Sequence, residues 1–225
     1  MSKNTYFLVV LVIIVALGLT FIIFKPKTVV KIDDTNGNAA STSATTVDQK
    51  VAVATTTKSS LALPISSAAE RITRKPFGIK VSPQNSPVQP EKFSGYHTGV
   101  DFEILPGEEN SDVPISTICA GTLIYKNYVN GYGGVAIQKC TINQEVVTVL
   151  YGHLKLASIT NRVGDELPVS QKIAVLGKAY SQETDGERKH LHLSIHRGSA
   201  VELRGYVPTA AELSAWIDAQ KILPL

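Results

Sequence analysis

Apolar and polar residues alternate strictly through several stretches of the second half of the chain. In KHLHLSIH, Lys189 to His196, Leu191, Leu193 and Ile195 fall on one face of an extended strand, and His190, His192, Ser194 and His196 on the other. The apolar face suits a core. The histidine face carries His190 and His192 about 6.6 Å apart along the strand, close enough for both to act on one small object. EVVTVLYGHL alternates in the same way, with Val147, Val149, Tyr151 and His153 on one face and Val146, Thr148 and Leu150 on the other. ISTICAGTLIY and GGVAIQKC flank KNYVNGY, where Asn130-Gly131 is a strong turn signal, and KIAVLG is a further strand. Short β-rich runs separated by Gly, Pro and Asn therefore predict a mainly β domain from Arg71 onward, an antiparallel two-sheet sandwich or partly open barrel. One helix is expected to close the chain. In TAAELSAWIDAQKIL, Thr209 and Glu212 have capping-box spacing, and Leu213, Trp216 and Ile217 follow at helical intervals.

The N-terminal part has a different texture. Residues 5–24, TYFLVVLVIIVALGLTFIIF, carry no charge and are apolar all round, long enough to cross a bilayer as one helix. A cleaved signal peptide would have a shorter apolar run with a small-residue cleavage site close behind it, whereas Gly18 is followed by more apolar residues and Ala39-Ala40 lies far downstream. An uncleaved membrane anchor is the expectation. Residues 35–69 are rich in Thr, Ser and Ala without an aromatic residue or a helical period, and read as a tether. The expected organisation is 1–31 anchor and flanks, 32–69 tether, and 70–225 folded domain.

The formal net charge is +3, and all the excess lies before residue 70, with 6 basic and 3 acidic side chains there against 16 of each sign beyond. A neutral domain without a basic run lacks the footprint of a nucleic-acid binder. Lys25, Lys27 and Lys31 follow the apolar run, while Lys3 and the α-amino group precede it, so flanking charge alone leans toward a cytoplasmic C-terminal side. The cysteines point the other way. Cys119 and Cys140 are placed nearly symmetrically about the Asn130-Gly131 turn and can face each other across the hairpin; the alternative is two separate buried thiols. A disulfide belongs to an oxidising compartment. With the anchor, this predicts a single-pass protein whose C-terminal domain is extracytoplasmic, on the periplasmic or cell-wall side.

The candidate chemistry lies in three histidine motifs. GYHTGVDFE holds His97 and Asp101, about 13 Å apart on a flat strand, so a bend at Thr98-Gly99 is needed to bring them together. LYGHL holds His153, and HLH holds His190 and His192. H-x-x-x-D, then Y-x-H, then H-x-H, together with VPISTICAGTLIY, GYGGVAIQ and VGDEL, resembles the LytM/lysostaphin-type zinc metallopeptidases, which cut the peptide parts of bacterial peptidoglycan. The resemblance runs from about Phe77 to Leu225. It implies the family's two-sheet β fold, one zinc ion per chain on His97, Asp101 and His192, and catalytic roles for His153 and His190. Two imidazoles and a carboxylate leave a fourth position open, as catalytic zinc requires. His196, about 13 Å from His192 along the strand, is expected at the surface, and Tyr151 either lines the cleft or packs in the core.

One stretch departs from the family pattern. Before H-x-H the family usually has a glycine-rich turn; this chain has AYSQETDGERKHLH, whose charges from Glu183 to Lys189 read as a solvated loop or as groups that sense charge on a stem peptide. The expected function is a membrane-tethered endopeptidase acting on peptidoglycan. The rival is a non-catalytic relative that binds the wall or activates another hydrolase, against which all five motif positions are filled. A structural zinc site would ordinarily be closed by a fourth ligand, often cysteine. The bond cut and the existence of a regulatory partner are not encoded in any motif.

Overall fold

Twelve strands and two single-turn helices follow one another in the computed structural model, which describes residues 61–225. In chain order they are α1 (Ala68–Arg71), β1 (Lys80–Val81), β2 (Gly95–His97), β3 (Gly99–Glu103), β4 (Pro114–Ser116), β5 (Gly121–Val129), β6 (Gly133–Ile142), β7 (Glu145–Leu154), β8 (Glu166–Leu167), β9 (Lys172–Val175), β10 (His190–Arg197), β11 (Tyr206–Val207), β12 (Trp216–Ile217) and α2 (Ala219–Ile222). The longest strands build a seven-stranded antiparallel sheet in the order β12-β10-β7-β6-β5-β8, with β3 also on β10. A three-stranded sheet, β1-β2-β11, and a two-stranded one, β4-β9, complete the domain. The fold is mainly β and antiparallel as expected, but in three sheets rather than two, with no closed barrel.

Alternation positions the core. Leu191, Leu193 and Ile195 of β10 and Val147, Val149 and Tyr151 of β7 are fully buried and pack with Val100, Phe102 and Leu123. On the far side of the large sheet, Tyr132, Val135, Ile137 and Leu150 form a smaller cluster. The Asn130-Gly131 turn joins β5 to β6, with the amide of Tyr132 donating to the carbonyl of Val129. A disulfide joins Cys119 to Cys140, across a sequence separation of 21 residues.

Three expectations are corrected. The C-terminal helix is broken: Ala210–Ala215 is a 3-10 turn, Trp216–Ile217 is a strand, and only Ala219–Ile222 is α-helical. Thr209 does reach Glu212, side chain to side chain at 2.8 Å, but makes no backbone cap. The free edge of β10 wins over helical propensity, because Ile217 pairs with Ile195 and Trp216 with His196. Residues 61–69, read as tether, pack on the domain. Ile65 and Ala68 are buried, and Ala62 and Pro64 hydrogen-bond to Ile118 and Ser116. The charged run is not a free solvated loop either. Arg188 and Lys189 are buried, Lys189 Nζ donates to the carbonyls of Glu108 and Ser111, and Asp185 accepts from Tyr128 Oη and the amide of Gly131. Residues 5–24 and most of the tether lie outside the described residues; among those described, no helix is long and apolar enough to cross a membrane.

Candidate active site

The bend required at Thr98 separates two sheets. His97 ends β2, which pairs with β1 and β11; Gly99 begins β3, which pairs with β10. Thr98 is fixed between them, its amide donating to Gly205 and its hydroxyl to Arg204. Asp101 and His192 are direct partners in the β3–β10 ladder, so the strand register sets their side chains beside each other. Gly99 leaves room for this. A Cβ there would lie 2.6 Å from the carbonyl oxygen of Leu193 and 2.7 Å from the ring of His192.

Three ligand atoms converge. His97 Nε2 lies 3.0 Å from His192 Nδ1 and 3.2 Å from Asp101 Oδ1, and His192 Nδ1 lies 3.1 Å from the same oxygen. All three residues are buried. The outer nitrogens determine the tautomers. His97 Nδ1 faces the carbonyl of Pro76 at 3.2 Å and His192 Nε2 faces Tyr132 Oη at 3.4 Å. With protons on those nitrogens, both inner nitrogens turn lone pairs toward the carboxylate. Three converging lone pairs in a buried pocket repel one another unless a cation or proton lies among them. In a tetrahedral site with bonds of about 2.0–2.1 Å, ligand atoms are about 3.3–3.4 Å apart. The observed triangle is within a few tenths of an ångström of that, so His97, Asp101 and His192 can hold a metal ion. Two nitrogens and one oxygen, with no fourth protein ligand among the described residues, match an open site rather than a closed structural one.

Burial opposes charge on the imidazoles here. It pushes His192 down to about 4 and His153 well below the usual histidine range, which keeps both neutral. Burial alone would raise the Asp101 carboxyl; the histidines around it more than reverse this and hold it well below the usual carboxylate range. Asp101 Oδ2 turns away from the triangle, accepting from Arg188 Nη2 at 2.8 Å and lying 3.3 Å from His190 Nε2.

His153 and His190 stand side by side, their ring centroids 4.1 Å apart. Simple parity would have put His153 into the core with Tyr151. The β6–β7 register shifts near Gly134–Ala136, His153 adopts a φ of 60°, and its side chain swings to the His192 side of the sheet. A histidine with positive φ is uncommon, and this one serves a site. Its Nδ1 is buried without a partner. Tyr151 stays in the core, its hydroxyl donating to Gln138 and accepting from the amide of Ile118. His190 is anchored through Nδ1 to the carbonyl of Arg188 at 3.0 Å. His196 is remote from the site and half-buried, its ring edge-on to Trp216.

All five histidine and aspartate positions singled out from the sequence thus come together, and four of them, with Tyr132, Tyr206, Lys75 and Arg188, line a cavity of about 330 Å³. Tyr132 and Arg188 contact the candidate ligands His192 and Asp101, while Tyr206 packs on His97 with ring centroids 5.2 Å apart. GYGG, part of the family-like pattern, signals Tyr132; no motif signals Lys75 or Tyr206, which arrive from short strands and loops.

No curated protein matches the chain. Among solved structures, LytU is similar at 23% identity, over 67% of this chain and 82% of its own, with a TM-score of 0.45. The catalytic domain of the antimicrobial peptidase lysostaphin from Staphylococcus simulans is similar at 21% identity, over 69% and 96%, with a TM-score of 0.45. The sequence profile of peptidase family M23 matches residues 95–203, a span that contains His97, Asp101, His153, His190 and His192, so this segment is similar to the LytM/lysostaphin-type peptidases that its motifs resemble.

Proposed function

We propose that this chain is a zinc-dependent metalloendopeptidase that hydrolyses peptide bonds of bacterial peptidoglycan, anchored in the cell membrane by residues 5–24 with residues 70–225 on the periplasmic or cell-wall side. The observation that carries the reading is the triangle of converging lone pairs, 3.0–3.2 Å on each edge, beside a second pair of histidines that does not belong to it. The match of residues 95–203 to peptidase family M23 supports peptidase activity, and the disulfide supports an oxidising compartment.

His97, Asp101 and His192 would hold the ion. Zinc bound there supplies Lewis acidity to polarise the scissile carbonyl and to acidify the attacking water. His153, kept neutral by burial and with Nδ1 unpartnered, is suited to accept the water's proton. His190, whose two nitrogens both face oxygen acceptors, is suited to donate to the oxyanion and to the leaving amine. Arg188 on Oδ2 leaves Asp101 one oxygen for the ion. Tyr132 orients His192.

The test is full-length protein in mild detergent with zinc, incubated with purified peptidoglycan, the products identified by mass spectrometry. New amino and carboxyl termini within the peptide part, abolished by a chelator, are expected. Metal-loaded protein that binds peptidoglycan without releasing any new terminus would favour the non-catalytic reading.

A further inference from the structure

Two cations line the cavity, and of their counter-ions only Asp101 lines it with them. Arg188 spends Nε and Nη2 on Glu103 and Asp101, at 2.5 to 3.1 Å. Its Nη1 has no hydrogen-bond partner among the described residues, yet is not sealed from solvent. Lys75 Nζ donates to Glu91 and, at 3.0 Å, to Tyr206 Oη; its third proton has no partner among the described residues. Both residues line the cavity and both are at least nine-tenths buried, at 9% and 3% exposure. Glu91 and Glu103 do not line it. The acid that does, Glu187, is paired with Lys92 at 3.1 Å, and Asp101 is already committed to the triangle and to Arg188.

The wall therefore offers unused cationic donors and no uncommitted carboxylate. A nearly buried guanidinium whose one free nitrogen still meets solvent can exchange water there for a stronger, charged acceptor. The fork geometry of arginine suits a carboxylate. Arg188 donates through Nη2 to Oδ2 of the carboxylate whose Oδ1 is in the triangle, so its guanidinium sits next to the candidate metal site.

We propose that Arg188 Nη1, assisted by Lys75, binds a free carboxylate on the residue flanking the scissile bond, so that the site selects acidic peptides over amidated or carboxylate-free ones. The proposal rests on the peptidase reading for the identity of its ligand as a substrate, but binding tests it separately. The probe is the stem peptide L-Ala-γ-D-Glu-L-Lys-D-Ala, with both carboxylates free or both amidated, titrated calorimetrically into full-length protein, zinc-loaded and chelator-treated.

The wild type is expected to bind the free acid at least about tenfold more tightly in both metal states, the scale of one charge-assisted hydrogen bond. Arg188→Gln should bring the two peptides to within about threefold, largely by weakening the free acid. Where that variant fails to fold, the Lys75→Gln/Glu91→Gln double variant, which removes the second cation with its counter-ion, should still lower the preference severalfold. Equal binding by the wild type overturns the proposal. So does a preference that vanishes on chelation, which would put the carboxylate on the metal, or one that survives both variants unchanged. A zinc-loaded protein that discriminates between the peptides and cuts no peptidoglycan would refute the peptidase reading and leave the subsite standing.

Discussion

Replacing Gly99 by alanine should damage the metal site without removing any ligand. The new methyl carbon would lie 2.6 Å from the carbonyl oxygen of Leu193 and 2.7 Å from Cε1 and Nε2 of His192. Ordinary carbon contacts begin near 3.5 Å, so the imidazole would have to retreat by about 0.8 Å. Leu193 is in the β3–β10 ladder, opposite Val100, and its carbonyl cannot yield cheaply. Overpacking of this kind costs about 1–3 kcal/mol. Reactive constellations tolerate about 0.5 Å, and disturbing the support of a metal ligand lowers affinity by about 10- to 100-fold. The variant should therefore unfold at lower denaturant by that increment, retain less zinc through dialysis against a weak chelator, and hydrolyse peptidoglycan more slowly in proportion. Chemical denaturation, elemental analysis and a dye-release assay on one preparation check all three. Full zinc retention with wild-type turnover would mean that the His192 ring is not held where the register of β10 against β3 puts it.

Two further outcomes follow from the same geometry. Thiol titration of denatured, unreduced protein from an oxidising compartment should find no free cysteine, and Cys119→Ser/Cys140→Ser should lose about 3 kcal/mol of stability, the chain-entropy value for a loop of this length; two free thiols would contradict both the bond and the external location argued from it. The metal-free protein should lose stability on acidification. His192 titrates near 4 when folded and near 6.5 when unfolded, so the unfolded chain takes up more protons between those values; stability is complete above about 6.5, falls through that window and is lost by about 4, on the order of 3 kcal/mol, with His153 shifted the same way. Denaturant curves on chelator-treated protein at pH 7, 5.5 and 4 measure this, and a flat profile would show that these imidazoles are not held neutral.

Much of the candidate site was legible because its residues sit on ordinary strands. Parity placed His190 and His192 opposite Leu191, and the flat-strand distance between His97 and Asp101 demanded the break found at Thr98. Parity failed at His153, where it assigned the side chain to the face of Tyr151. A one-residue irregularity reverses that face, and nothing in LYGHL signals a positive φ at histidine. The C-terminal segment failed for a different reason. Its helical spacing and capping pair are local, while the strand at Trp216–Ile217 depends on an unpaired edge of β10 that only the assembled sheet provides. The charged run from Glu183 to Lys189 looked solvated because its partners, Glu103, Glu108, Ser111 and Gly131, are remote in sequence. Polar residues buried by pairing leave no hydrophobic pattern to read.

The central claim is that the two histidines of HLH do different work, one holding the metal and one moving protons. It is tested most directly by zinc content measured beside peptidoglycan hydrolysis for full-length His192→Ala and His190→Ala. His192→Ala removes a corner of the triangle and should purify with little zinc and little activity. His190→Ala leaves His97 Nε2, Asp101 Oδ1 and His192 Nδ1 in place. It should hold about one zinc per chain, yet hydrolyse roughly 100-fold more slowly or worse. A His190→Ala protein without zinc beside a His192→Ala protein that keeps it would invert the assignment, and two variants with unchanged zinc and unchanged hydrolysis would contradict the metallopeptidase account itself.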